Sequence, residues 1–465
     1  MNLLLRTAFV FAAALIAAAP LQAQVSHQHQ GRWLGDIHLP DGTTDSFDIE
    51  FLRRADGSYW ASGASPARGA FHLPVTAFTE TDNEVEMRFP FALVKLRWDG
   101  GQFSGAFHQN GQAMPLTLHK VDAFAVQLRP QTPRPPFPYL QQTLAISSAP
   151  GVALGATLST PAGAGKVNAV VLVHGSGPQT RDEQFAGHQR GTVIADYLAR
   201  RGIAVLRYDK RGIAYSSGDY ENHTVADLST DLHAVLKALR ARGQFARIGV
   251  VATSEGPEVA AAVAAHHPDD IDFIVSLAGT GLNGLEAMMV QDRAYAQDHK
   301  ANPEEVERLM VYVRQFYTII IAQEDKAARL AALKALRARQ TSADEALITK
   351  YEMDQGTLSL DWAAKPFLRA SLRSDPPADW RAVRCPVLAL NGSVDRQVPP
   401  TENLGGLVAS LAAGGNTKVE SAVLPGLNHL FQTSATGAED DYDRIAETIA
   451  PSALERVAGF IGRQR

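Results

Sequence analysis

The sequence predicts an α/β protein: a mostly parallel sheet with helices on both faces, interrupted by a helical insertion and preceded by a small antiparallel β-domain. Three observations predict it. Apolar residues alternate with period two through the first quarter of the chain, with Gly turns between the runs. Beyond residue 140, short apolar runs alternate with helical patterns. Finally, the span between Ser254 and Asp395 is too long for one crossover, and within it the apolar period becomes helical.

The elements follow in order. Residues 1–23 read as a cleavable signal peptide, with Arg6 as the early charge, an Ala/Leu/Phe/Val run, and small residues before Gln24. This predicts a periplasmic or secreted protein. Residues 24–122 read as a small antiparallel β-barrel or sandwich. Phe47, Ile49 and Phe51, then Val85, Met87 and Phe89, then Val94, Leu96 and Trp98 alternate, and Asp56-Gly57, Asp99-Gly100 and Asn110-Gly111 mark turns. Residues 123–139, with Pro130, Pro133, Pro135, Pro136 and Pro138, read as an extended linker. The α/β core is expected over 140–282 and 379–465, and a helical cap over 283–378. In the cap, Asn302-Pro303-Glu304-Glu305 is a helix start, and Val306, Leu309, Met310, Val313, Phe316, Tyr317 and Ile320 line one helix face. Self-packing accounts for most of that stripe, with Phe316 and Tyr317 the candidates to wall a substrate pocket.

The chemistry concentrates in four places. Ile248–Val251 is an apolar strand that runs through Ala252-Thr253-Ser254-Glu255-Gly256 into a helical pattern. A Ser between very small residues on a strand–turn–helix reads as the nucleophile elbow of the α/β-hydrolase fold. Pro386–Asn391 is a strand followed by Asp395, and Val419–Leu424 is a strand that delivers His429. The chain order Ser254, Asp395, His429 is the order this fold uses. A serine hydroxyl needs a neutral imidazole to take its proton, and a carboxylate to hold that imidazole and stabilise its charged form. Upstream, Asn168–Val173 runs into His174-Gly175-Ser176-Gly177. There, the amides of Ser176 and Glu255 are the expected oxyanion donors, and Gly175 and Thr253 are expected to line the substrate site.

The segments VLVHGSGPQTRDE (171–183), GIAVLRYDKRGIAYSSGDY (202–220), LALNGSVDRQVPPTENL (388–404) and LPGLNHLFQ (424–432) carry a resemblance. The chain resembles the secreted bacterial α/β-hydrolase esterases of the EstD type. That resemblance implies a serine carboxylester hydrolase with an extra N-terminal β-domain, with Ser254 as nucleophile, Asp395 as acid and His429 as base. It departs from the family pattern at Ala252, Thr253 and Pro257 around the elbow and at Ala214 after Asp-Lys-Arg-Gly. These changes bear on substrate range and rate more than on the three residues themselves.

The remaining composition excludes more than it adds. With 44 basic and 49 acidic residues and no basic run, nucleic-acid binding is not expected. No dinucleotide or phosphate-loop pattern follows a strand, so no cofactor is expected. Cys385 stands alone before Pro386 and reads as a core residue. His27-Gln28-His29 in a floppy mature N-terminus and His266-His267 at a helix end read as solvated, since no carboxylate completes a ligand set. No stretch beyond the leader suits a stable membrane anchor. The expected partner is a small-molecule or glycan-linked ester with a short acyl chain, cleaved through an acyl-enzyme. The alternatives are an exported serine peptidase or aminoacyl hydrolase, a polysaccharide deacetylase, and a catalytically degenerate binding protein.

Overall fold

The computed structural model describes residues 29–464 except 40–41, 66–69, 82, 125–128, 164 and 355. The expected signal peptide lies outside the described residues. Among the described residues, no helix is long and apolar enough to cross a membrane.

The alternating N-terminal pattern forms one antiparallel sheet of ten strands running from Gly31–His38 to Gln112–Val121, which are themselves paired at its centre. The inward side chains build a core around Trp33, Phe51, Met87 and Phe103. The sheet curls on this core. Phe78, on the edge strand Ala77–Glu80, packs 5.9 Å from both Tyr59 and Trp60 near the opposite edge. Curling lets every strand offer its apolar face to one shared interior.

The second sheet has eight strands, in the order Tyr139–Ala149, Val152–Pro161, Ala204–Tyr208, Val167–Val173, Phe245–Thr253, Ile274–Leu277, Val387–Gly392 and Val419–Leu424. The first two form an antiparallel hairpin, and pairing is parallel from Ala204–Tyr208 onward. Its central strands are apolar on both faces because both faces are covered. Val225–Ala241, Gly256–His266 and Pro400–Ala413 pack on one side, and Arg190–Ala199 and Pro451–Gly462 on the other. This is the α/β-hydrolase fold, and it places the ends of Phe245–Thr253, Val387–Gly392 and Val419–Leu424 along one rim.

Between strands Ile274–Leu277 and Val387–Gly392 stand the helices of the insertion, from Gly284–Asp298 to Pro366–Leu372. Their apolar faces form a core of their own. Helix Pro303–Ala322 starts as its sequence dictates: the Asn302 side chain accepts from the Glu305 amide, and the Glu305 carboxylate returns the bond. The next short helix, Pro376–Ala382, belongs to the body, because Trp380 is buried in the sheet's own core.

Candidate active site

The elbow is built by close approach. Ser254 adopts φ +56°, in the left-handed region that L-residues avoid, and its amide donates to Leu277 O at 2.9 Å. At Gly256 a Cβ would lie 2.6 Å from Val173 O, so only glycine fits there. Pro257 enters the first helical turn, where its missing N–H removes no intrahelical bond. Its ring takes the space beside Gly279, whose Cβ would come within 2.6 Å of it. Thus the elbow departures keep the backbone path and change what fills the floor.

Three side chains from three strand ends converge. His429 Nε2 lies 3.1 Å from Ser254 Oγ, and His429 Nδ1 lies 3.0 Å from Asp395 Oδ2. Asp395 Oδ1 accepts from the amides of Gln397 (3.0 Å) and Val398 (2.8 Å), which fixes the carboxylate. An N–H at Nδ1 facing this carboxylate leaves Nε2 as an acceptor for the serine proton. The His429 loop is held by Asn428, whose Oδ1 accepts from the amides of Leu430 (3.0 Å) and Gln432 (2.9 Å).

Gly175 faces the nucleophile: a Cβ there would lie 3.1 Å from Ser254 Cβ. Ser176 and Glu255, whose amides are the expected oxyanion donors, line one cavity with Ser254. Lys210, 2% exposed, ties these two segments together, donating to Gly175 O (2.8 Å) and to Glu255 Oε2 (3.0 Å). Sequence reading missed this lysine. Its signal was the Asp209-Lys210-Arg211-Gly212 run, noticed only as a resemblance.

Ser254 and Ser176 stand between two cavities. One, of about 600 Å³, lies under the insertion and is walled by Glu255, Glu258, Met288, Trp362, Phe367 and Leu368 among others. The other, of about 410 Å³, holds Thr253, His429, Phe185, Arg190 and Tyr442.

A family model described as "Serine aminopeptidase, S33" matches residues 166–433, more than half of the chain. The chain belongs to the serine aminopeptidase S33 family. Its match to Esterase EstD of Thermotoga maritima is 27% identical over 169 residues, covering 36% of this chain and 40% of that protein. The chain thus aligns with about two fifths of that relative's length. Solved structures similar to it include the Pyrococcus furiosus esterase Pf2001 (17% identical, TM-score 0.43, 74% of this chain and 99% of that one). They also include Est1E from Butyrivibrio proteoclasticus with ferulic acid (17%, 0.42, 69% and 98%) and a proline iminopeptidase of Mycobacterium smegmatis (16%, 0.42, 70% and 98%).

Several expectations for this S33 chain need correction. Phe316 and Tyr317 do not wall either cavity beside Ser254. They are 1% and 0% exposed inside the insertion's own core, and Tyr317 donates to Asp292 Oδ2 at 2.6 Å. Once the neighbouring helices assemble, the wide apolar stripe is all consumed internally. His29 is not a floppy residue: it is buried, bonded to Glu80, and set edge-on to Phe103 at 4.8 Å. His27 lies outside the described residues. His267 does have a carboxylate nearby, since His233 stacks on it at 3.7 Å and bonds Asp270 at 2.9 Å. Helix packing brings His233 there from a distant segment. Cys385 is half-buried beside the core, and burial pushes its thiol up to about 12, which suits a packing residue.

Proposed function

We propose that the protein is a serine carboxylester hydrolase working through an acyl-enzyme. The observation that carries this reading is the Ser254–His429–Asp395 alignment at the mouth of two cavities. His429 takes the Ser254 proton as Oγ attacks the ester carbonyl, and the Ser176 and Glu255 amides receive the developing oxyanion. The imidazolium then protonates the leaving alcohol, and His429 next activates a water that releases the acid. Because the imidazolium must reach the leaving oxygen, the alcohol belongs in the cavity that His429 lines. The acyl group then occupies the larger cavity under the insertion. A volume of about 600 Å³ favours a larger acyl group than the short chain expected from sequence.

Esterase EstD of Thermotoga maritima supports the ester reading over the peptidase one, and the family description keeps aminoacyl substrates as the second reading. Turnover of p-nitrophenyl esters tests the proposal. Ser254→Ala is expected to abolish it while circular dichroism and melting stay native. Undiminished hydrolysis by that variant would reject Ser254 as nucleophile. Hydrolysis of aminoacyl anilides alone would select the peptidase. Export to the periplasm or beyond is proposed from the leader alone, and fractionation of cells that express the full chain tests it.

A further inference from the structure

The mechanism leaves one buried ionisable group of the larger cavity unused. Glu258 stands on the first turn of the helix that begins just after the nucleophile, and it lines the same cavity as Ser254. It is 9% exposed, and its Oε1 has no hydrogen-bond partner among the described residues. An unsatisfied buried oxygen costs roughly 1–3 kcal/mol. Packing does not require it, since the apolar cluster beside it is built from Val259, Ala260 and Ala261. An unspent acceptor beside a nucleophile is the arrangement that a substrate donor completes.

The rest of the wall indicates which donor. Of the other cavity carboxylates, Glu255 already has Lys210 on its Oε2 at 3.0 Å, and Asp361, on the short helix Leu360–Ala363, is exposed to solvent. Lys365 lines the cavity as well and pairs with Glu221. The remaining polar wall is neutral, with Thr280, Gln291, Ser371, Gln397 and Asn403, next to the flat rings of Trp362 and Phe367. Such a wall solvates hydroxyl groups. A second ammonium would face Lys365 across the cavity, and among the described residues Glu258 is the one buried cavity carboxyl without a cation partner to offset its desolvation.

Resting on the ester-hydrolase reading, we infer that Glu258 is a specificity residue that accepts a hydrogen bond from a hydroxyl carried on the acyl group, so that hydroxyacyl esters are the preferred substrate class. No bond to Glu258 forms or breaks in the reaction. The hydroxyl satisfies the orphan oxygen and sets the depth at which the carbonyl meets Ser254. A site built to pair a substrate hydroxyl discriminates strongly against the analogue that lacks it.

The test compares kcat/KM for the ethyl esters of hexanoic acid and of its hydroxylated and aminated analogues, substituted at carbon three or at carbon six. The wild-type protein is expected to favour a hydroxy ester over the plain ester by about tenfold or more. In Glu258→Met, which keeps the length and loses the acceptor, that ratio is expected to fall close to one. Glu258→Ala provides the same reading if the Met variant does not fold. Ser254-dependent turnover without hydroxy preference would overturn this inference and leave the ester reading standing. A preference that survives in both variants would also overturn it. Glu258-dependent preference for an amino ester would replace the hydroxyl with an ammonium. No turnover of any ester would remove both readings together.

Discussion

Lys210 ties together two of the segments that meet beside Ser254. It is buried, and its ammonium holds the carbonyl of Gly175 and the carboxylate of Glu255, which belong to the two segments proposed to supply the oxyanion amides. Removing one partner of a buried ion pair costs roughly 3–5 kcal/mol, because the other charge is stranded. Lys210→Met is therefore expected to lower stability by that order and kcat by about tenfold or more, with a smaller change in KM. Adding Glu255→Gln should recover much of the stability in denaturant titrations. If it also recovers kcat fully, Lys210 serves the fold and not the oxyanion geometry.

Glu258 gives the residue scale its pH signature. Burial first, and the nearby Glu255 and Asp379 carboxylates in addition, push its carboxyl up to about 7 against a hydrogen bond from Ser374. Between its ordinary value of 4.5 and about 7, the folded chain keeps a proton that the unfolded chain has released. Stability conferred at low pH is thus lost as pH rises through that window. The loss between pH 5 and pH 8 amounts to about 2–3 kcal/mol. Glu258→Gln should flatten the pH dependence by that amount in chemical denaturation at the two pH values. Equal slopes for both proteins would show that the carboxyl is not desolvated as described. Ala214 is a quieter case: it holds φ +44° where the resemblance expects Gly, so this chain bears a backbone strain there.

At the scale of elements, the elbow and the insertion follow different rules. The elbow is local. Small residues at fixed offsets, a left-handed Ser254 and a helix that starts at Gly256 are properties of one strand–turn–helix segment. The insertion is collective. Helix Pro303–Ala322 has a legible start and stripe, but what its stripe faces depends on five other helices. Tyr317 and Asp292 show this: their 2.6 Å bond is fully buried between two helices of the insertion, and burial raises the Asp292 carboxyl to about 6. Tyr317→Phe removes one of the two side-chain donors of that carboxyl, leaving Thr357, and should destabilise the chain by about 1–3 kcal/mol. KM should rise more than kcat falls, since the loss loosens the cavity roof and not the Ser254–His429 contact. Denaturation and steady-state kinetics check both, and an unchanged melt would mean that Thr357 alone satisfies Asp292.

For the whole molecule, the loop that follows strand Ala204–Tyr208 ties the N-terminal sheet to the rim that carries Ser254. Ala55 N donates to Tyr215 O at 2.8 Å, Arg54 Nη2 to Gly212 O at 3.0 Å, and Tyr215 Oη to Glu50 Oε1 at 3.2 Å. The same loop begins with Asp209, which takes the Arg181 guanidinium, and Lys210. Arg54 is itself buried over the Trp60 ring at 4.1 Å. Support for the loop thus passes from the β-sheet to the segment that carries Lys210. Arg54→Ala should lower kcat several-fold and separate the unfolding of the two sheets in calorimetry. A single unshifted transition with full activity would reduce the β-sheet to a passive neighbour.

The sequence by itself determined the α/β architecture, the inserted helices and the order Ser254, Asp395, His429, because each is written in short segments. Strand runs, small residues at a turn and helix caps act within a few positions of one another, and chain order survives folding. Only the tertiary structure decided which side chains spend their chemistry on each other. It turned Phe316 and Tyr317 inward, buried His29, paired Lys210 with Glu255 and left Glu258 with an unspent oxygen in the cavity wall. The reason is physical: a buried group's role is set by the neighbours that desolvate it, and those come from segments distant in the chain.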